Sequence, residues 1–148
     1  MKYLAPFLFL ILISCGSPQD LETKRGINYE KSKDLTSVLD KATIESKIVF
    51  VDIYTDWCLP CKEMDKYVFE DEPTADFMNS NFVNYKVNAE KGEGPDLNII
   101  YGVSAYPTLL FLDVKGRVLE KYEGSMSVSA FNSWAEGVLR DNGQEIVN

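Results

Sequence analysis

The chain has 148 residues, 45% of them hydrophobic and 26% charged, which suits a single soluble domain able to bury its own core. With 23 acidic against 15 basic side chains it carries a net charge of −8 and no basic stripe, which excludes the electrostatic footprint of a nucleic-acid binder. It contains no histidine, which removes Ser-His and Cys-His catalysis and every imidazole metal ligand.

Met1-Lys2-Tyr3 precedes an apolar run, Leu4 to Ile13, too short to span a bilayer but suited to a signal-peptide core. Leu12-Ile13-Ser14-Cys15 resembles the cleavage motif of bacterial lipoproteins. Residues 1–14 are therefore expected to be a lipoprotein signal peptide, cut before Cys15, which then carries the lipid; a plain secretory signal with an incidental cysteine is the alternative. Removing this leader, whose one charged side chain is Lys2, leaves a net charge of −9. Residues 15–26 are polar and rich in chain breakers, and read as a tether.

A domain is expected over residues 27–140, with a C-terminal tail at 141–148. Ile27 to Tyr29 suggests an edge strand. Asp34 can cap a helix whose apolar positions Leu35, Val38, Leu39 and Ala42 keep helical spacing to about Ser46. Lys47 to Tyr54 reads as the central strand, and beyond Cys58 the pattern turns helical around Met64 and Val68. A break follows over Tyr67 to Pro73, then a short helix from Thr74 to Asn79 and an alternating strand from Phe82 to Asn88. Lys91-Gly92-Glu93-Gly94 lacks the length and the Lys-Ser/Thr ending of a phosphate loop, and reads as a connection. Pro95 opens a helix to Ile100, Leu109–Leu112 and Arg117–Tyr122 flank a turn as a hairpin, and Ser127–Leu139 closes the domain as an amphipathic helix with Val128, Phe131, Trp134, Ala135 and Val138 on or near one face. That order predicts an α/β protein with a central mixed β-sheet and helices on both faces.

The chemistry concentrates at Cys58 and Cys61. A strand delivers the pair to a helix N-terminus, where free backbone N–H groups and the macrodipole favour negative charge and lower a thiol pKa; Pro60 suits the first helical turn. Three readings compete. A zinc site needs four ligands, and the chain holds one other cysteine and no histidine. A purely structural disulfide over a two-residue gap restrains little unfolded-chain entropy. Reversible thiol chemistry is the third, with Cys58 as nucleophile and Cys61 resolving the mixed disulfide. No cofactor and no metal is expected.

Asp52 to Lys62, with an acid in the strand followed by Trp57-Cys58-Leu59-Pro60-Cys61-Lys62, resembles the active-site segment of the thioredoxin superfamily, although Leu59 stands where thioredoxin has glycine. Val68-Phe69, Asp71, Phe77, Phe82 and Lys86-Val87-Asn88 resemble, more narrowly, the thioredoxin-like domains of exported bacterial disulfide-interchange proteins. The resemblance covers about Ile27 to Leu139 and implies a thioredoxin fold. It implies that Asp52 is the buried acid that takes the Cys61 proton, that Lys86 biases that acid, and that Tyr106-Pro107-Thr108 is a cis-proline loop presenting backbone to an extended substrate, with Trp57 as one wall. On alternation alone the alternative is that Asp52 is a strand-end surface acid and Lys86 a solvated edge charge. Without a histidine between the cysteines, a redox poise nearer the reducing end is expected.

The function implied is that of a monomeric thiol–disulfide oxidoreductase, lipid-anchored through Cys15 on the periplasmic side of a bacterial membrane. It would reduce or isomerise disulfides of extracytoplasmic proteins with electrons from a membrane donor. Two alternatives stand beside it: a reductant dedicated to cytochrome c maturation, and a redox-inactive thioredoxin-fold binding module.

Overall fold

The computed structural model describes residues 26–32 and 34–147. The leader, the tether to residue 25 and Cys15 lie outside the described residues. Helix α1 (Leu35–Glu45) starts where the Asp34 carboxylate accepts the Ser37 N–H, and stops at Ser46, whose φ of 55° turns the chain so that its N–H bonds back to the last turn. The turn delivers strand β1 (Ile48–Tyr54), which is buried along nearly its whole length.

Strand β1 is central. It pairs in parallel with β2 (Phe82–Asn88) and antiparallel with β3 (Thr108–Leu112), and β4 (Val118–Glu123) closes the order β2-β1-β3-β4. Because both faces of β1 are covered, its sequence is a β-branched and aromatic run with no polar alternation, interrupted only by Asp52. Period two nevertheless assigns each side chain a face. Ile48 and Phe50 pack with Phe82, Leu109 and Phe111 against Met64, Met78, Phe131 and Ala135. Val49, Val51 and Ile53 pack on the other face with Val83, Val87 and Leu110 against Val38, Ala42 and Leu97. The first core is aromatic: Phe50 lies 5.3 Å from Phe111 and 5.5 Å from Phe131, ring centre to ring centre, and Phe82 4.9 Å from Phe111.

The helices follow this division. Helix α2 (Leu59–Met64), α3 (Glu72–Asn81) and α5 (Val128–Asp141) contribute to the aromatic core, whereas α1 and α4 (Gly94–Ile100) cover the aliphatic one. The expected mixed sheet with helices on both faces is therefore present.

Four local features differ from expectation. Ile27–Tyr29 is not a strand: only Tyr29 bridges Asn84, because the Ile27 N–H goes to the Phe69 carbonyl and the Asn28 N–H to the Asn79 side chain. The helix does not break at Tyr67 but continues from α2 as a π-helical turn over Asp65–Phe69, and consecutive Val68 and Phe69 are both buried. Pro73 does not interrupt a helix: it sits in the first turn of α3, where its missing N–H costs nothing, and Asp71 caps that turn. Helix α5 runs to Asp141, two residues past the expected Leu139, and the exposed residues beyond it are tied down at Val147, whose backbone accepts from and donates to the Asn81 side chain at 2.9 and 2.8 Å.

The Asp71 carboxylate accepts the Thr74 N–H at 3.2 Å and the Thr74 hydroxyl at 2.7 Å. Asp71→Ala is expected to lower stability by about 1 kcal/mol, the usual worth of an N-cap, without altering the dithiol. Urea denaturation of the two proteins measures it, and an unchanged midpoint refutes the cap.

Candidate active site

At the carboxyl end of β1 the chain turns through Thr55, Asp56 and Trp57, with the Cys58 N–H bonded to the Thr55 carbonyl at 3.2 Å. Cys58 is the N-cap of α2: its backbone is extended, Pro60 lies in the first turn, and its Sγ accepts the Cys61 N–H at 3.1 Å. Cys58 and Cys61 are joined by a disulfide, with their Cα atoms 5.3 Å apart. Both cysteines are nearly buried, whereas Trp57 and Leu59 are 66% and 65% exposed. An approaching protein meets these two apolar side chains before it meets sulfur.

Trp57 is fixed from two sides. Its indole N–H donates to Glu90 at 3.0 Å, and its ring meets Tyr106 edge-on with centres 5.9 Å apart. The Tyr106 hydroxyl in turn accepts from the Asn98 amide at 3.0 Å. Beside Trp57, the Asp56 carboxylate takes the Lys91 ammonium at 2.6 Å and the Asn88 amide at 2.9 Å, which hold its carboxyl below the usual carboxylate range. Glu90 and Lys91 fall beside and in the stretch that reads as a plain connection and Asn98 in the helix after it, and no motif singles them out.

The Tyr106–Pro107 peptide bond is cis. Pro107 precedes β3, whose Thr108 pairs with Ile53 of β1, so the proline loop lies at the same end of the sheet as the dithiol. The loop is held from β4: Glu123 accepts the Ser104 N–H at 3.0 Å and its hydroxyl, and Lys121 donates to the carbonyls of Tyr101 and Gly102 at 3.0 and 2.7 Å. Lys121 and Ser104 together pull the Glu123 carboxyl down to about 2.

Beneath this surface lies a buried charge cluster. Asp52 shares a face of β1 with Phe50, which turns its carboxyl into the protein, where it is 1% exposed. Lys86 is its register partner on β2, and the ammonium lies 2.8 Å from the Asp52 carboxylate. Burial pushes the Asp52 carboxyl above its ordinary value, and Lys86 only partly offsets this. Lys86 also contacts Asp65 in the π-helical turn. Burial draws the Lys86 ammonium down, but the two carboxylates more than compensate and its pKa is raised. Of these two partners the sequence resemblance implies only Asp52; Asp65 is by composition one more solvent-facing helix charge. A cleft of about 360 Å³ lined by Thr43, Lys47, Asp113 and Asn142 lies at the opposite end of the sheet, away from these groups.

The family model Thioredox_DsbH, described as "Protein of unknown function, DUF255", matches residues 25–110. The chain is 32% identical over 110 residues to a protein of Pseudoalteromonas atlantica named thiol:disulfide interchange protein DsbD, covering 72% of this chain and 18% of that one. It spans about a fifth of the length of the curated relatives it matches. Among solved structures, one from Bacteroides thetaiotaomicron, described provisionally as a disulphide-isomerase, is 39% identical with a TM-score of 0.70, covering 78% of this chain and 94% of that one. A thioredoxin from Thermus thermophilus, 23% identical with a TM-score of 0.66 and coverage of 77% and 87%, shares the fold. A thiol–disulfide oxidoreductase role fits the paired cysteines and these relatives. Built on the thioredoxin fold and matched by the model over more than half of its residues, the chain belongs to the Thioredox_DsbH family.

Proposed function

We propose that this chain is an extracytoplasmic thiol–disulfide oxidoreductase that reduces or isomerises protein disulfides through Cys58 and Cys61, and that lipid on Cys15 anchors it to the periplasmic side of a bacterial membrane. The observation that carries the reading is the disulfide at the start of α2, set between exposed Trp57 and Leu59 with a buried ion-paired acid on the strand that leads to it. Among the described residues no helix is long and apolar enough to cross a membrane. Anchoring therefore rests on Leu12-Ile13-Ser14-Cys15.

In the reduced protein the Cys58 thiolate attacks one sulfur of a substrate disulfide. That bond breaks, one substrate sulfur leaves as a thiolate, and a mixed disulfide joins the two proteins. Asp52 takes the Cys61 proton, and the Cys61 thiolate attacks the Cys58 sulfur and expels the second substrate thiolate. Two electrons pass from the domain to the substrate, leaving the Cys58–Cys61 disulfide. A membrane-held dithiol then reduces the Cys58–Cys61 disulfide by the same exchange in reverse and is itself left as a disulfide. Trp57, Tyr106 and Pro107 form the docking surface, where backbone pairing gives affinity without demanding one substrate sequence.

Insulin reduction by the purified chain, with dithiothreitol as electron source, tests the proposal. The wild type is expected to precipitate the insulin B chain well ahead of the Cys58→Ser/Cys61→Ser protein. Equal rates refute enzymatic function and leave a binding module.

A further inference from the structure

Beyond the edge strand β2, residues 26–30 form a strap latched to the domain. Its Ile27 N–H donates to the Phe69 carbonyl at 2.9 Å and its Glu30 N–H to the Asn84 carbonyl at 2.8 Å. Asn79 accepts the Asn28 N–H at 2.7 Å and donates to the Gly26 carbonyl at 3.3 Å. This seating bridges Tyr29 to Asn84, which lies on the same face of β2 as Lys86, two residues on.

Three rings surround the Lys86 ammonium: the centre of Tyr54 lies 4.7 Å away, Tyr29 5.4 Å and Phe69 5.8 Å. Tyr54 comes from β1, Phe69 from the π-helical turn and Tyr29 from the strap, while Asp52 and Asp65 supply the carboxylates. Glu30, next to Tyr29, is engaged with Lys41. The Tyr29 hydroxyl is shut from solvent and has no hydrogen-bond partner among the described residues. Burial, then the two carboxylates, raise its pKa and keep it neutral. An unpartnered buried hydroxyl opposes folding, so the ring is what the cluster uses.

Resting on the dithiol chemistry above, we propose that Tyr29 is a positioning residue for proton transfer at Cys61: its ring closes the outer flank of the Asp52–Lys86–Asp65 cluster and keeps water from the Asp52 carboxyl. Loss of the ring leaves Lys86 in place, because two charge-assisted contacts outweigh one cation–π contact. What changes is hydration. Desolvation is the largest influence on Asp52, so water admitted through the Tyr29 gap lets the acid ionise at lower pH and makes it a weaker acceptor for a thiol proton.

The test is a carbon-13 NMR titration of the Asp52 carboxyl in the oxidised full chain, where no thiol titrates beside it. Tyr29→Phe is expected to superpose on the wild type. Tyr29→Ala is expected to lower the midpoint by about half a pH unit or more, and to move the pH profile of mixed-disulfide resolution down by the same amount. An unchanged midpoint in a Tyr29→Ala protein with a native amide spectrum overturns the proposal, as does an equal shift in Tyr29→Phe. Should the alanine protein not fold, Tyr29→Gln, which keeps bulk without a ring, replaces it under the same criteria. A wild type without insulin-reducing activity refutes the oxidoreductase reading, whereas the titration alone decides the role of Tyr29.

Discussion

Replacing Cys58 with serine is expected to reduce insulin-reducing activity to the level of the protein lacking both cysteines, a loss on the order of a thousandfold or more, while Cys61→Ala is expected to accumulate disulfide-linked adducts. The asymmetry follows from the backbone. Cys58 is the N-cap of α2, and its sulfur already accepts the Cys61 N–H. When the disulfide is reduced, that N–H and the positive helix end remain available to a Cys58 thiolate, and they are backbone features that Cys61→Ala preserves. The alanine protein therefore keeps its nucleophile and loses only the group that releases the substrate. Mass spectrometry of alkylated, non-reduced samples reads both effects. Equal adduct yields from Cys58→Ser and Cys61→Ala, or substantial turnover by Cys58→Ser, would reverse or remove the assigned roles.

The parts of this site that are legible in the sequence are those written within a few residues. Trp57 to Cys61 is one continuous segment, and the apolar run of β1 marks its burial without any partner being known. Strand β2 was bounded at Phe82 and Asn88, where its alternating residues begin and end. The contacts beside and beneath the dithiol are instead long-range. Trp57 finds Glu90 across 33 positions and Lys86 finds Asp65 across 21, and neither separation follows from helical or strand periodicity. The π-helical turn that carries Asp65 is equally hidden. It inserts into an otherwise ordinary amphipathic pattern, and only the need to bury both Val68 and Phe69 betrays it. Tyr29 reads as part of a strand for a related reason: local composition reports extended backbone, but not that the Ile27 and Asn28 N–H groups go to Phe69 and Asn79, leaving a single bridge to β2 at Tyr29.

Asp52→Asn is expected to make the protein more stable at neutral pH and about a hundredfold slower to release a mixed disulfide. The two effects share a cause. Burial raises the folded-state pKa of Asp52 above the ordinary carboxylate value, so across the interval between that value and the folded pKa the native protein holds a proton that the unfolded chain has lost. Stability attributable to this group therefore falls as pH rises through the interval, and each unit by which folding raises a carboxyl's pKa costs about 1.4 kcal/mol once both states are ionised. Asparagine removes the penalty without stranding Lys86, which keeps Asp65 as partner. The stability gain should vanish in acid, grow through the interval and level off above it. Urea denaturation of both proteins over a pH series checks the sign, and a difference that is constant with pH refutes the buried-acid assignment. Under the proposed mechanism the same substitution deprives Cys61 of its proton acceptor, so stopped-flow release from a preformed mixed disulfide should slow most where the wild-type Asp52 is ionised. A variant that gains stability yet releases substrate at the wild-type rate would show that Asp52 is buried without serving Cys61, and would move the proton acceptor to solvent.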